Sequence, residues 1–416
     1  MSEDRLLAYS AFVSFWAGRL AATAANQIFA LVIAWEIYEL TGSAWWLGLA
    51  GLAQFIPSAL SFLLAGDLAD RIDRRLILIS VMAGMTFVAL MLWVASFTGV
   101  MSVSLLIGAC AVLGLLRPFQ MTAQQALVGL LVPGHLLARA VAFSSGASQA
   151  IFIVAPALAG LVLIAGAVYV YALCLLVCAT GWVLFVRIRY RYEPVPARPR
   201  SLADLLGGAV YIWQRPSLLG SITLDLFVVM LSGVSGLMPL FAKDVLGVDS
   251  WGLGLMRAAP AVGAVAVSIV LTRWHFNRSV GPLMFASVAV FSLALLVFGW
   301  STDLWLSLAA LAVSGAADMV SVVIRQTMVQ IDTPDAMRGR VSAFNALAIT
   351  GSNQLGDFRC GLAAHWMGAV PAVVSGACAG LLITALWIRW FPGLWARERL
   401  DESPEATETA KPASDR

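Results

Sequence analysis

Four charged side chains lie in stretches of sequence that are otherwise apolar, and their spacing repeats. Arg19 and Asp225 are 206 residues apart, while Arg117 and Asp318 are 201 apart. A charge at the centre of a membrane-spanning helix costs at least about 2.5–3.5 kcal/mol on insertion scales, which makes such residues candidates for a function. A carboxylate can bind and release a proton, and a nearby arginine favours its charged form. These residue types predict proton-linked chemistry; the alternative is static salt bridges that only offset each other's desolvation.

The composition indicates that these charges lie in a membrane protein. The chain of 416 residues is 61% hydrophobic and has a mean hydropathy of +0.88, which is more apolar surface than a soluble core can bury. The five cysteines lie in apolar segments without metal-ligand spacing, so neither a metal nor another cofactor is predicted. A window of about 20 residues, the length that crosses a bilayer, finds twelve candidate spans. They fall near residues 9–38, 45–65, 76–97, 100–122, 140–165, 167–187, 218–242, 250–274, 280–301, 304–328, 340–365 and 367–391.

The arginines outside the spans predict the orientation of the chain. They fall in alternate loops, whereas the other set of loops holds only Lys243. Positive charge marks the cytoplasmic side, so we expect a multi-pass protein of the plasma or inner membrane with both termini in the cytoplasm. The basic residues have no interleaved aromatics and form no soluble basic domain, which argues against binding to nucleic acid.

An internal duplication divides the chain into halves. The stretch VPGHLLARAVAF (132–143) aligns with TPDAMRGRVSAF (333–344) at an offset of 201, and WWLGL (45–49) aligns with WGLGL (251–255) at 206. Two duplicated halves are typical of transporters, whose substrate site lies between the repeats near mid-membrane. A stretch rich in proline and arginine separates the halves. The predicted domains are a first six-helix bundle, a cytoplasmic linker, a second six-helix bundle and a tail expected to be disordered: 1–187, 188–217, 218–391 and 392–416.

Several motifs carry a family resemblance. The loop GDLADRIDRR (66–75) is similar to the G-x-L-a-D-r-x-G-r-R signature of the major facilitator superfamily. IDTPDAMRGRVSAFNAL (331–347) and GSNQLGDFRCGLAA (351–364) resemble its branch of proton-driven exporters, which includes enterobactin exporters and macrolide efflux pumps. LGLLRPFQ (113–120) resembles the helix 4 motif with an intramembrane arginine, and APALAG (155–160) resembles the helix 5 antiporter motif G-P-x-x-G through Pro156 and Gly160.

The sequence also departs from these motifs. Asp73 stands where the wider superfamily has glycine, and Ala155 stands where the antiporter motif has glycine. In the second half, TRWHFNRSVG (272–281) has lost most of the loop signature.

The resemblance implies an all-α polytopic fold of twelve transmembrane helices, arranged as two pseudo-symmetric bundles. In that fold helices 1, 4, 7 and 10 line the central cavity. The resemblance therefore assigns cavity or proton-coupling roles to the four charged residues above and to an acid of the branch motif in helix 11: Arg19, Arg117, Asp225, Asp318 and Asp357. Arg325, two turns from Asp318, is interpreted as a snorkelling or cavity residue, and Glu36 as a solvated interface residue.

The charged loop between spans 2 and 3 is predicted to form a conformational latch. In a two-fold repeat Asp70 faces the start of helix 11, where a carboxylate gains from the helix dipole and from arginines. The predicted latch residues are Gly66, Asp67, Asp70, Arg71, Arg74 and Arg75 with Arg338 and Arg340. The alternative is that these arginines only set topology and that the loop is simply soluble.

No enzyme is predicted, because the sequence lacks a Walker motif, HExxH and GxSxG. We predict a secondary active transporter that works as a monomer in membrane lipid and exchanges protons for an amphipathic small molecule, such as a drug or a siderophore. An importer or a lysophospholipid flippase of the same fold is the alternative. A membrane sensor or scaffold that transports nothing is a third hypothesis, which has no need of repeat-matched intramembrane charges.

Overall fold

A computed structural model describes residues 6–190, 202–273 and 279–399. Parts of the predicted linker, of the second-half loop and of the tail lie outside the described residues: 191–201, 274–278 and 400–416. Within the described ranges, the side chains at a few positions are also not described: Leu7, Leu63, Asp70, 202–206, Thr272, Asp335 and Ala336.

Every regular element among the described residues is a helix, which confirms the all-α fold class. The first half of the chain forms six long helices: α1 (Ser10–Thr41), α2 (Ala44–Arg71), α3 (Arg74–Thr98), α4 (Val103–Leu131), α5 (Gly134–Leu163) and α6 (Ala167–Arg187). The second half forms α7 (Leu202–Trp213), α8 (Pro216–Ser232), α9 (Met238–Leu240), α10 (Ser250–Arg273), α11 (Val280–Trp300), α12 (Leu304–Ile331), α13 (Asp335–Met367), α14 (Ala369–Trp390) and α15 (Pro392–Trp395).

Ten helical segments of the described chain are long and apolar enough to cross a membrane. One of them, Pro216–Val245, joins α8 to α9 and a π-helical turn, Phe241–Val245. The helices α2 and α13 were also predicted as spans but are not among the ten. The count of twelve therefore stays a prediction.

Local sequence sets where the long helices stop. Gly42 and Gly99 end α1 and α3 in the left-handed conformation, with φ of 59° and 73°, which glycine adopts without a steric cost. Asp73 begins α3 by accepting a hydrogen bond from the backbone N–H of Arg75 at 2.9 Å. Because of these stops α1, α2, α3 and α4 are joined by short turns, which makes successive helices run in opposite directions.

The chain forms two compact units. The first unit contains α1–α6 and also Ser235–Ala258, and the second contains α7, α8 and the chain from Ala259 onward. Ser235–Ala258 was predicted to belong to the second bundle. Hydrogen bonds tie it to the first unit: Ser250 Oγ donates to Gly160 O at 3.0 Å, and Lys243 Nζ donates to Glu39 at 2.7 Å. The predicted domain boundaries otherwise stay a prediction.

In the first unit, α2 packs on α4, α3 on α6, and α1 on α5 and α6. In the second unit, α11 packs on α12 and α14, and α8 on α13 and α14. A buried apolar cluster between α8, α11, α12 and α14 forms the second unit's core, including Leu224, Met284, Phe285, Met328 and Trp387. These side chains fix α8 and α12, the two helices that carry the candidate carboxylates.

Two predicted connecting segments contain regular structure. Within the predicted linker, α7 packs on α13, and Tyr211 donates a hydrogen bond to Asp332 O at 2.9 Å. The first residues of the predicted tail form α15, and Arg397 follows it in a buried ion pair with Asp332. The tail from Asp401 lies outside the described residues.

Candidate functional site

The second unit contains a buried ion pair between two of its helices. Arg325 on α12 contacts Asp225 on α8 through Nη1 and Oδ1, and their side chains are only 2% and 10% exposed. The repeat offset matched Asp225 with Arg19 of the first half, whereas the structure gives this carboxylate an arginine partner in its own unit. The repeat could not reveal this pair, because it depends on how α8 packs against α12.

Asp318 lies two turns before Arg325 on α12, so both side chains project from similar faces of the helix. Asp225, Asp318 and Ser321 line a small cavity together with apolar side chains of α8 and α11. Its free space of about 10 Å³ is roughly what one water molecule needs. The structure therefore brings the two candidate carboxylates to one site with a single guanidinium beside them.

Asp357, the fifth candidate, does not line this cavity. It is half-buried on α13, and its neighbour Arg359 has buried Nε and Nη2 atoms that make no hydrogen bond with the described residues. The guanidinium of Arg359 lies beside Gly376 of α14, where a Cβ atom would come within 2.8 Å of Nη2. This places Arg359 between α13 and α14.

The two candidate arginines of the first unit lie on α1 and α4. Arg19 is half-buried, and Arg117 is exposed. A hydrogen bond joins the two helices between these arginines, from Asn26 Nδ2 to Gln120 Oε1 at 3.1 Å. Sequence reasoning did not single out this amide pair, although glutamine and asparagine in apolar stretches were a visible signal.

Glu36, which was expected to be a solvated interface residue, has a hydrogen-bond partner among the described residues. It is half-buried near the end of α1 and accepts a hydrogen bond at 2.5 Å from Tyr171, which is fully buried on α6. This bond satisfies a carboxylate at the edge of the apolar core.

Pro156 and Gly160 of the predicted antiporter motif lie where α5 touches α10. A Cβ atom on Gly160 would come within 2.6 Å of Ser250 O, and one on Gly254 within 2.7 Å of Pro156 O. The two backbones approach so closely that both positions need glycine. The described contacts of this motif are thus packing contacts within the first unit.

The loop 66–75 is also held within the first unit. Asp67 and Arg71 form an exposed ion pair one turn apart at 2.9 Å. Arg75 reaches the end of α6, where Nε and Nη2 donate to Phe185 O at 3.3 Å and Val186 O at 2.6 Å. The structure gives these arginines partners inside the unit.

Asp73, the departure from the superfamily signature, has its own partner. The hydroxyl of Tyr190 donates a hydrogen bond to its Oδ1. Burial, and then this bond, raise the pKa of Tyr190 above its usual range. Asp73 thereby joins the start of α3 to the chain that follows α6.

Gly66 is buried in α2, and Arg74 is half-buried in the first turn of α3. In the second unit, Arg338 Nη2 donates to Thr333 O at 3.5 Å, and the backbone of Arg340 lies against Gly208 of α7. The side chain of Asp70 is outside the described ones. The latch therefore stays a prediction.

Helices long and apolar enough to cross a membrane, with ionisable groups inside them, define a polytopic membrane protein. The sequence profile of a family described as transmembrane secretion effector matches residues 5–412. The chain belongs to this family, within the major facilitator superfamily, and is a multi-pass membrane protein.

Curated relatives include the enterobactin exporter EntS. The protein from Escherichia coli O1:K1 / APEC is 29% identical over 237 residues, which is 56% of this chain and 55% of the relative. EntS from Shigella boydii serotype 18 (strain CDC 3083-94 / BS512) matches to the same extent. The match thus spans about half the length of these relatives.

Solved transporter structures share the fold. The nucleoside transporter NupG superposes with a TM-score of 0.73 at 12% identity, covering 92% of this chain and 100% of that one. A D-xylose-proton symporter gives 0.70 at 15%, covering 93% and 98%. A bacterial homologue of the iron transporter ferroportin gives 0.69 at 17%, covering 94% and 100%. At these identities the likeness shows the fold alone.

Proposed function

We propose that the protein is a proton-coupled exporter that exchanges protons for an amphipathic small molecule in the plasma or inner membrane. The observation that carries this proposal is the arrangement of Asp225, Asp318 and Arg325 around one small cavity in the second unit. The likeness to an enterobactin exporter supports export and makes a siderophore a first cargo to test.

The charges of this cluster explain how it couples to protons. Arg325 offsets one carboxylate, so two ionised carboxylates leave one negative charge in a nearly dry site. A buried unpaired charge is costly, and binding one proton removes it. The cluster therefore alternates between a neutral and a singly negative state. A carrier uses such an alternation when its two conformations favour different charge states.

The loop 66–75 supplies the second part of the proposal. We infer that Asp70 meets the start of α13, near Arg338 and Arg340, only in the outward-open conformation.

The arginine-bearing loops and both termini lie in the cytoplasm, and the protein works as a monomer in lipid. A reporter active only outside the cytoplasm is therefore expected to be silent when fused after Arg75 and active when fused near Asp303.

The coupling test compares three variants with wild type in proteoliposomes that contain equal amounts of protein. Asp225→Asn and Asp318→Asn are the test variants. Asp303→Asn is the matched control, because Asp303 immediately precedes the helix that carries Asp318 and caps its exposed first turn. The readout is accumulation driven by a pH gradient, measured with enterobactin, a macrolide and a cationic dye. We expect at least one cluster variant to lose gradient-driven accumulation while keeping downhill exchange, and the control to keep both.

A purely structural pair predicts a different pattern. Asp225→Asn would then cut the folded yield, since breaking a buried pair costs about 3–5 kcal/mol. Adding Arg325→Gln would restore both yield and transport. Coupling instead predicts that the double variant regains yield without gradient-driven accumulation. Full accumulation by both single Asp→Asn variants would refute the role of the cluster.

The latch and the direction of transport have separate tests. Asp70→Asn is expected to insert normally but to transport slowly, with greater reactivity of probe cysteines at the arginine-bearing ends of the helices. Unchanged transport and unchanged cysteine reactivity would refute the latch.

Net uptake of cargo by intact cells would favour the importer over the exporter. Movement of a fluorescent lysophospholipid would favour the flippase.

A further inference from the structure

The cavity in the second unit offers oxygen atoms to anything that enters it. Asp225 of α8 and Asp318 and Ser321 of α12 line the cavity, and the rest of its wall is apolar. The free space is about that of one water molecule. A ligand must therefore be small and must bind through oxygen. The apolar part of the wall consists of Val228, Val229, Val288 and Phe291.

Ser321 supplies an oxygen that the protein itself does not use. The residue is only 3% exposed and lies on the cavity wall, and its hydroxyl makes no hydrogen bond with any described residue. Ser314, two turns earlier on α12, is equally buried, but its hydroxyl donates to Leu311 O at 2.7 Å. A buried hydroxyl without a partner costs free energy, which a ligand in the cavity recovers.

The cavity lies beside the oxygens of the charged cluster and not beside its guanidinium. Asp318 and Ser321 are three residues apart and so share a face of α12. Arg325 follows Asp318 by seven residues, about 10 Å along the helix axis, and is not among the described residues that line the cavity. Arg325 contacts Asp225 through Oδ1, so Oδ2 of Asp225 can accept a second ligand. A cation in the cavity thus meets carboxylate and hydroxyl oxygens.

The charges of the cluster select the charge of the ligand. Two ionised carboxylates and one guanidinium leave a single negative charge. A monovalent cation cancels it, whereas a divalent cation would leave a positive charge and an anion a doubled negative one, and both are costly in a nearly dry site. The small free space then favours Na⁺ over the larger K⁺.

We propose that this cavity is a binding site for Na⁺, with the carboxylates of Asp225 and Asp318 and the hydroxyl of Ser321 as its ligands. Oxygen atoms of these kinds are the ligands that hard cations take in proteins. The inference rests on the proposed function, because it assigns a second ion to the same cluster. A proton and Na⁺ each supply the one missing positive charge, so either ion can drive the exchange but only one is bound at a time.

The test measures equilibrium binding of ²²Na⁺ to the purified full-length protein in lipid nanodiscs. No gradient and no cargo are present, so the result does not depend on transport. Choline chloride keeps the ionic strength constant, and empty nanodiscs give the background. We expect saturable binding to wild type that unlabelled NaCl displaces and that KCl displaces at least about tenfold more weakly.

Variants assign the bound ion to the cavity. Asp318→Asn removes a charged ligand and Ser321→Ala removes a neutral one, and both are expected to weaken ²²Na⁺ binding by about tenfold or more. Ser321→Thr keeps the hydroxyl and is expected to retain most of the affinity. Ser314→Ala is the matched control, because Ser314 is equally buried on the same helix but its hydroxyl bonds to Leu311 O. It should bind ²²Na⁺ like wild type.

A second measurement keeps the test valid where a variant is unstable. NaCl is expected to raise the unfolding temperature of wild type and of Ser314→Ala more than KCl does, because a ligand that binds only the folded state stabilises it. Ser321→Ala should unfold cooperatively and lose this difference between the two salts.

Several results would overturn the proposal. Wild type that shows no saturable ²²Na⁺ binding, or that loses the ion equally to KCl and NaCl, would exclude a selective site. Unchanged binding in both Asp318→Asn and Ser321→Ala would place the ion elsewhere. Selective Na⁺ binding without accumulation driven by a pH gradient would support this inference and refute proton coupling alone. Accumulation driven by a pH gradient in a protein that binds no Na⁺ would refute this inference alone.

Discussion

The two units hold the arginine-bearing ends of their helices with different parts of the chain. In the first unit the loop between α2 and α3 does this, because Arg75 donates to carbonyls at the end of α6 and Asp73 accepts from Tyr190, which follows α6. In the second unit the corresponding loop has lost the signature, and the segment after α14 takes its place. Its carbonyls at Arg397 and Glu398 accept hydrogen bonds from the backbone N–H groups of Gly281 and Val280, at 2.9 and 3.3 Å.

The side-chain contacts that hold the helix ends also differ in strength between the two units. Arg397 donates to both carboxylate oxygens of Asp332 at 2.6 and 2.9 Å, and both side chains are buried. Arg75 instead donates to two backbone carbonyls at a partly exposed position. A duplicated fold thus satisfies the same need, capping the ends of its helices, with a buried charge pair in one unit and a loop motif in the other.

The same comparison applies inside the membrane spans. The second unit pairs Asp225 of α8 with Arg325 of α12, whereas the first unit carries Arg19 on α1 and Arg117 on α4. The repeat-matched positions thus carry acids in the second unit and arginines in the first, so the two repeats differ in charge at equivalent positions.

The largest effect is expected from the Asp332–Arg397 pair. Arg397→Ala leaves a buried carboxylate without its cation, which costs about 3–5 kcal/mol of stability. The double variant Asp332→Ala with Arg397→Ala should be less destabilised than either single variant, because it leaves no unpaired charge. Thermal unfolding of the purified protein measures this. Asp67→Ala, which removes an exposed pair, is the control and should cost about 0.5 kcal/mol or less. If Arg397→Ala lost as little stability as the Asp67→Ala control, the comparison of the two units would be wrong.

A smaller effect is expected from the first unit's loop. Arg75→Ala removes two hydrogen bonds to carbonyls at the end of α6 and should cost about 1–2 kcal/mol, because water replaces part of the loss. Arg75→Lys should retain about half of this, since lysine offers one point contact in place of the guanidinium fork. The check is the same unfolding measurement. An equal loss of stability in Arg75→Ala and Arg397→Ala would mean that the two units hold their helix ends equally strongly.

Much of the fold was predictable because it depends on patterns along the chain. Apolar windows gave the long helices, and a charge in an apolar stretch is conspicuous, which is why Asp225 and Asp318 were found. The partner of Asp225 was not, because the contact with Arg325 depends on the packing of two helices about 100 residues apart in sequence.

The Asp332–Arg397 pair, which holds the helix ends of the second unit, was not predicted from the sequence for a different reason. Asp332 and Arg397 lie in polar segments, where charges are ordinary, and residues from 392 on read as a solvated tail. Nothing local shows that the two side chains become buried. Likewise, α7 follows a stretch rich in proline and arginine, so the whole of 188–217 read as a linker.

The smallest effect concerns Tyr190, which strengthens the first unit's attachment through Asp73. Tyr190→Phe removes one hydrogen bond at a partly exposed position and should cost about 0.5–1.5 kcal/mol at neutral pH. Burial and Asp73 raise the pKa of Tyr190 above the usual 10.0, so the folded protein holds this proton more tightly than the unfolded chain. Stability from a raised pKa is complete below the unfolded value and falls as pH rises past it. The difference between wild type and Tyr190→Phe should therefore stay constant from about pH 7 to 9 and shrink above about pH 10. Unfolding measured across this pH range tests this, with Tyr169→Phe as a control at an exposed tyrosine. A stability difference that already disappears near neutral pH would show that the bond to Asp73 does not hold the hydroxyl proton of Tyr190.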